Sequence, residues 1–320
     1  MQKSEYPDGP RRIGFLLMPK FSMMCLTSAI EPLRVANRFL ERQAYSWHFF
    51  SVDGGPVAAS NEMTILAEAG LDEISDFPVV GLVSSFEPFA AANARLYGWL
   101  RRMRRRGCHL GAFDTGAFLL AEAGLLNGRR VTLHWESLAA FREAYPDIEA
   151  RDSLFEIDGP FFTCSGGTAS LDLMLDLIAG HHSKELAVAV AEQFIHQEMR
   201  HQELRQRMPA DRRVGTMSGT LVRIVETMEA NIETPLCLDD LAAASGVTKR
   251  QLERLFTRHM GVPPQRYYLD MRLDRARQLL NQSDMPVFEV GLACGFTAAP
   301  YFTRAYRRRF GYPPSRENRP

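Results

Sequence analysis

Three stretches of this sequence combine residue types and spacings that could do chemistry. The first is "GAFDTGAFLLAEAGLL" (residues 111–126), in which a short apolar run meets Asp114, Thr115 and Gly116 before a helical pattern begins. A strand that turns sharply into a helix presents one side chain above its sheet and aims the first helix amides at whatever binds there. Asp114 is expected as that exposed side chain, with the amides of Thr115 and Gly116 beside it. A carboxylate at this point can hold a cation, but it cannot supply the thiolate that amidase or thioester chemistry requires. The other two stretches are copies of each other. "LDDLAAASGVTKRQLERLFTRHMGVPP" is echoed about fifty residues on by "VFEVGLACGFTAAPYFTRAYRRRFGYPP". Each copy runs apolar helix, Gly (Gly246, Gly295), one apolar residue (Val247, Phe296), a Thr suited to capping (Thr248, Thr297), then a second helix.

This is helix-turn-helix construction, and the second helix of each copy (249–260 and 298–310) is the expected recognition helix. Its N-terminal residues would meet base edges and its basic flanks phosphates. In the first copy Lys249, Arg250, Glu253 and Arg254 project together behind Thr248, with Leu252, Leu255 and Phe256 as the buried stripe. In the second, Ala298, Ala299, Pro300, Tyr301 and Arg304 lie outward and Phe302, Ala305 and Tyr306 inward. Arg307, Arg308 and Arg309 suit phosphate contact.

The elements that must position these residues follow from hydrophobic patterning. "RRIGFLLMP", "YSWHFFSVDGG", "PVVGLVSSF" and "CHLGAFD" read as strands. They alternate with helical patterns at "SMMCLTSAIEPLRVANRFLE", "AANARLYGWLRRMRRRG" and "TGAFLLAEAGLL". That rhythm predicts a doubly wound α/β domain of flavodoxin-like type, its ligand site outside the carboxyl ends of the strands. "LFEIDGPFFTCSGG" reads as a hairpin with Asp158 and Gly159 in the turn, followed by the helix "TASLDLMLDLIAG" and another over 184–205. "QRMPADRRVGTMSG" is polar and contains Gly and Pro, marking a linker over 206–214, and everything beyond is helical. The expected division is a sensing domain over 1–205, the linker, and an all-α double helix-turn-helix domain over 215–320.

Bulk composition agrees. The 320 residues carry 38 basic and 38 acidic side chains, with 46% hydrophobic and 24% charged, which excludes disorder and collagen. The zero net charge hides an asymmetry: residues 206–320 hold 18 basic and 12 acidic side chains, leaving 20 and 26 before them. A basic compact segment beside an acidic one suits a nucleic-acid-binding module joined to a different domain. No apolar run reaches the roughly 18 to 20 residues of a membrane span, and the N-terminus lacks a secretion signal's apolar core. A cytoplasmic protein without membrane partners is expected. The five cysteines (Cys25, Cys108, Cys164, Cys237, Cys294) have no metal-ligand or disulfide spacing, so reduced thiols and no metal or other cofactor are expected.

Over about one hundred residues the C-terminal repeat resembles the AraC/XylS transcriptional regulator domain. The resemblance implies two helix-turn-helix units held by a connecting helix, here 264–280, with both recognition helices in successive major grooves of double-stranded DNA. The second recognition helix departs from the family in beginning "TAAP", so Ala298 and Pro300 offer apolar contact with thymine methyls instead of hydrogen bonds. Around Asp114 the chain resembles the class I glutamine amidotransferase-like fold, in the PfpI-type form fused to AraC-type readers in GlxA-like regulators. In enzymes of that superfamily the elbow residue is Cys. Its replacement by Asp114 implies a protein that is not an enzyme, and His134 in "TLHWE" falls at the elbow-partner position.

A preformed crevice without a nucleophile can bind an effector. Asp114 and Glu31 supply acid, and Phe21, Phe86 and Trp135 supply aromatic faces, a combination that holds a quaternary ammonium by charge and π contact. Thr115 and the helix amides would receive a ligand carboxylate. "SAIEPLRVANR", "DTGAFLLAEAGLLNGRRVTLHWE" and "GGTASLDLMLDLI" resemble the branch of these regulators that responds to carnitine, glycine betaine or dimethylglycine. The resemblance implies an effector-responsive activator, a homodimer partnered by operator DNA and RNA polymerase. The alternatives are an amidase or hydrolase with a DNA-binding tail, and a regulator sensing another amino-acid-derived cation such as arginine.

Overall fold

The computed structural model describes residues 9–206, 219–282 and 285–317. The chain divides into two compact units, Met1–Gln206 and Arg207–Pro320. Of the expected linker only Gln206 is described; residues 207–214, and 215–218 of the expected second domain, lie outside the described residues.

The first unit is a doubly wound α/β fold. Its strands are β1 (Arg11–Leu17), β2 (Tyr45–Ser51), the separate pair β3 (Val57–Ala58) and β4 (Thr64–Ile65), β5 (Ala69–Gly70), β6 (Val79–Val83) and β7 (His109–Phe113). They continue with the pair β8 (Arg130–Val131) and β9 (Glu149–Ala150), then β10 (Phe155–Asp158) and β11 (Phe161–Cys164). Seven of them form one sheet in the order β10-β11-β7-β6-β1-β2-β5, parallel throughout except where β10 meets β11. The chain moves outward from β1 first on one side and then on the other, which puts the topological switch between β1 and β6, one strand away from β7.

The helices are α1 (Met23–Phe39), α2 (Ala94–Arg105), α3 (Ala117–Glu122), α4 (Leu138–Ala144), α5 (Ala169–His181) and α6 (Lys184–Gln193). Leu16, Val80, Leu82 and Leu110 face one layer with Trp99 and Phe118, while Ile13, Phe15 and Leu17 face the other with Leu26, Leu33 and Leu173. Coverage of both faces is why these strands read as unbroken apolar runs. Each such side chain contributes roughly 1.5 to 3 kcal/mol on burial.

Three elements differ from the sequence reading. The final helix ends at Gln193 instead of 205, and Ile195 takes φ 56. Beyond it the buried carboxylate of Asp172 accepts from His196 Nε2 (2.9 Å), the Arg200 backbone N–H (2.9 Å) and its guanidinium (2.6 Å). Satisfying that carboxylate outweighs a continued helix. The hairpin loop is Gly159–Pro160; Asp158 stays paired with Phe161 and accepts from the Arg130 N–H at 3.0 Å. The helix after Asp114 is only six residues long and stops before Gly124, whose φ is 70.

The second unit contains α7 (Gly219–Ala230), α8 (Leu238–Ala244), α9 (Lys249–Met260), α10 (Pro264–Gln282), α11 (Val287–Ala293), α12 (Ala299–Phe310) and a single 3-10 turn, Pro314–Arg316. Leu221, Ile224, Leu241, Leu252 and Phe256 make the core of the first helix-turn-helix. Val290, Phe296, Phe302 and Tyr306 are buried in the second. The connecting helix α10 runs two residues past the expected end.

Candidate functional site

The elbow is built at the carboxyl end of β7. Asp114 takes φ 60, a left-handed conformation that costs a non-glycine residue roughly 1 to 2 kcal/mol. Its backbone is fixed on both sides: its N–H donates to the Cys164 carbonyl at 2.9 Å and its carbonyl accepts from the His134 N–H at 3.3 Å. Glycine is required at two neighbours. A Cβ at Gly116 would stand 2.8 Å from the Leu82 carbonyl oxygen, and one at Gly166 (φ 90) 2.9 Å from the Asp114 Cβ.

This packing changes the chemistry expected of Asp114. The residue is 8% exposed instead of standing clear of the sheet. Burial pushes its carboxyl up to about 7, a hydrogen bond with Ser85 opposes the rise, and the negative charge of Glu136 adds to it. Near neutrality it therefore exists as an equilibrium between acid and carboxylate. His134 is lowered by burial, with Glu136 working against that shift from 4.0 Å. The Trp135 ring is half-buried with its centroid 5.6 Å from that of His134.

Asp114, Thr115, His134 and Trp135 thus share one neighbourhood, but not every expected residue joins it. The Thr115 hydroxyl donates to the Ser85 carbonyl and lies 3.1 Å from the Ser84 hydroxyl, and the Gly116 N–H is taken by the Phe113 carbonyl at 3.1 Å. These groups brace the elbow and leave the expected carboxylate-binding amide of Gly116 occupied. Phe21 bridges Ala59 and Ser85 through its backbone and turns its ring wholly into the core, so it offers no face to a ligand. The Glu31 carboxylate is held by Arg34 at 2.6 Å on the surface of α1; the acidic side chain acting on Asp114 is Glu136. Phe86 is 66% exposed, immediately after Ser85.

Sequence reasoning missed Ser85 and Glu136. Their signals were present in "VSSF", closing β6, and in "HWE", where an acid follows the partner histidine by two residues. Cys164 also lies against the elbow, its carbonyl accepting from the Asp114 N–H. Cys25 and Cys164 are fully buried, each feels the charge of Asp114, and Ser170 Oγ lies 3.0 Å from Cys25 Sγ and 3.8 Å from Cys164 Sγ. Burial raises the Cys25 thiol well above its ordinary value, and pushes Cys164 and Cys108 up to about 12. All three are held as thiols, which are poor nucleophiles. Among the described residues no three His, Cys, Asp or Glu side chains gather to hold a metal ion.

Two hollows of this unit do not include Asp114 in their linings. One of 1080 Å³ lies between α5, α6 and the segment after α6; the other, of 700 Å³, lies beyond the carboxyl ends of β1 and β2. Size alone does not select a site; the titratable carboxyl and adjoining aromatic ring give the elbow the more specific chemistry.

In the second unit the first recognition helix starts as expected. Thr248 caps α9 reciprocally with Gln251, at 3.3 Å from the Gln251 N–H and 2.9 Å from Gln251 Oε1 to the Thr248 N–H. Thr248, Lys249, Arg250, Glu253 and Arg254 are all exposed, with Lys249 in a surface pair with Asp239 at 3.2 Å. In the second copy Ala298, Ala299, Pro300, Tyr301, Arg304 and Arg308 are exposed.

Two expectations about that copy are corrected. Thr297 does not cap α12: the N-cap is Ala298, without a side-chain bond. The bond that Thr248 accepts in the first copy, from the N–H three positions on, is closed to Thr297 because that residue is Pro300 and has no N–H. Arg309 is not a free phosphate contact, since its guanidinium is bound to Asp274 (2.6 Å) and Asp270 (3.1 Å) on α10. Arg272, also on α10, donates to the Cys294 and Gly295 carbonyls at 2.8 and 2.6 Å and lies 4.2 Å from the Phe296 ring centroid. The connecting helix therefore fixes both the second turn and the second recognition helix.

Comparison with known proteins agrees with this architecture. The DJ-1/PfpI family pattern matches residues 11–180 and a helix-turn-helix domain pattern residues 241–319. The chain is 50% identical to the HTH-type transcriptional regulator CdhR of Pseudomonas aeruginosa, over 95% of this chain and 90% of that protein. It is 44% identical to the HTH-type transcriptional regulator GbdR of the same species, over 96% of this chain and 84% of that protein. The crystal structure of an AraC family transcriptional regulator from Pseudomonas putida superposes with a TM-score of 0.54 at 24% identity, covering 58% of this chain and all of that one. Among the described residues no helix is long and apolar enough to cross a membrane.

Proposed function

This chain belongs to the HTH-type transcriptional regulators that join a DJ-1/PfpI domain to an AraC-type helix-turn-helix domain, and from that premise we propose that its first unit senses a small quaternary-ammonium metabolite such as carnitine or glycine betaine. The second unit binds operator DNA. The observation that carries the effector reading is Asp114 at the elbow, a nearly buried carboxyl whose backbone is bonded to His134, with the half-buried Trp135 ring against that histidine. A trimethylammonium group donates no hydrogen bonds, so charge and π faces are what a site can offer it. Phe86 is available to close over the ligand. Glu31 and Phe21, committed to Arg34 and to the core, are not part of the proposed site.

In this reading the domain is a sensor and not an enzyme, because a carboxyl stands at the elbow and the buried thiols beneath it stay protonated. Operator binding as a homodimer and recruitment of RNA polymerase complete the proposal. The effector regulates only as far as it binds the DNA-competent and DNA-incompetent arrangements differently. A promoter reporter driven by the full chain and titrated with glycine betaine, carnitine and arginine tests it. Asp114→Asn should demand more betaine or carnitine for the same output while leaving DNA affinity in the absence of effector unchanged. An unaltered dose response would remove Asp114 from the site, and a response to arginine alone would replace the effector class.

A further inference from the structure

The two recognition helices expose opposite chemistries in their first turns. On α9 the outward groups are Lys249, Arg250, Glu253 and Arg254, all hydrogen-bonding side chains, behind a Thr248–Gln251 capping box. On α12 the corresponding turn presents Ala298, Ala299 and Pro300, with the Tyr301 ring 48% exposed next to them. The first outward charge is Arg304, further along the helix. Pro300 makes the difference: it blocks the cap that Thr248 forms in the first copy, and it removes one of the amides that a helix start would otherwise aim outward. Four neighbouring exposed residues carrying mostly carbon would be a liability in water, yet Arg304, Arg307 and Arg308 are exposed on the same helix. A carbon-rich tip flanked by cations fits the DNA major groove, where thymine alone presents a methyl group.

We propose that this protein reads its operator by two different codes, hydrogen bonds to base edges under α9 and thymine methyl groups under Ala298, Ala299 and Pro300 of α12. The inference rests on the DNA-binding reading of the second unit and goes beyond it. Arg250 and Arg254 suit guanine O6 and N7, and Glu253 suits cytosine N4, so the α9 half-site contains G·C pairs. The α12 half-site is rich in thymine, with Arg304 and Arg308 holding phosphates or a single guanine at its edge. The two halves of each bound site are therefore dissimilar, and the direction of the site fixes the direction in which the chain lies on DNA.

The test uses the full chain and a duplex that it selects from a randomised pool. Each thymine is replaced singly by deoxyuridine, which deletes the methyl and keeps every hydrogen-bonding group. Deoxyuridine should weaken binding about fourfold for each methyl that packs against the helix tip, at neighbouring positions confined to one half-site. In the variant carrying Ala298→Gly, Ala299→Gly and Pro300→Ser those same replacements should cost nothing, while positions under α9 keep their sequence preference. A selected duplex in which no deoxyuridine weakens binding, or in which the loss persists in the variant, would overturn the methyl code while leaving DNA binding intact. Failure to select any duplex would overturn the DNA-binding reading itself together with the inference.

Discussion

The elbow of the first unit and the recognition helices of the second place their working groups in opposite environments. Every residue expected to meet base edges is exposed, and its partner has to come to it. Asp114 is nearly buried, in a left-handed conformation, with its neighbours already chosen by the fold. The difference separates two kinds of recognition. A surface reader gains affinity from groups that were solvated before binding, so its strength varies with salt. A buried carboxyl has been desolvated in advance, so its response varies with pH.

Four measurements can break or sharpen that contrast. The largest expected effect is on DNA affinity: raising salt from about 50 to 200 mM should weaken operator binding on the order of a thousandfold, if about six phosphates are contacted. A flat salt response would remove Arg304, Arg307 and Arg308 from the interface. Next, the stability of the folded chain should depend on Asp114. Its folded pKa is raised from 3.8 to about 7, so ionisation opposes folding. The sign is that stability falls as pH rises from about 4 to about 7 and then levels off. Asp114→Asn should remove this fall and gain up to about 4 kcal/mol at pH 8 relative to pH 4. Denaturant unfolding at the two pH values reads it, and parallel pH profiles for both proteins would contradict the burial argument.

Smaller effects separate base readout from charge. Arg254→Ala should weaken the preferred operator by about 1 to 3 kcal/mol and nonspecific duplex by less. Equal losses on both would assign this side chain to phosphate. The smallest expected change is at the elbow, where Trp135→Ala should cost about 0.5 to 2 kcal/mol of betaine or carnitine affinity and leave effector-free DNA binding unchanged. A loss confined to DNA binding would place Trp135 outside the effector site.

The same contrast explains what could be read from sequence. The alternation of strands with helices and both helix-turn-helix units follow from local patterns: apolar runs such as "RRIGFLLMP", the stripe Leu252, Leu255 and Phe256, and the positive-φ turns at Gly246 and Gly295. Asp114 was legible because a strand-to-helix junction is itself a local pattern. Its environment was not. Ser85 and Glu136 reach it from other loops, and Phe21, which follows β1 as a crevice residue should, is turned inward by its backbone bridges to Ala59 and Ser85. Thr297 was misread for a different reason. The repeat invited the role of Thr248, whereas Pro300, three residues on, withdraws the amide such a cap needs.

If a cation effector is held by the ionised form of Asp114, calorimetry of the full chain with glycine betaine and carnitine at pH 6 and pH 8 will read it. With a carboxyl at about 7, a cation must displace a proton at the lower pH. Binding should be about tenfold tighter at pH 8 than at pH 6, with proton release at pH 6, and Asp114→Asn should show neither property. Affinity independent of pH in the unaltered chain, or the same pH dependence in Asp114→Asn, would contradict it.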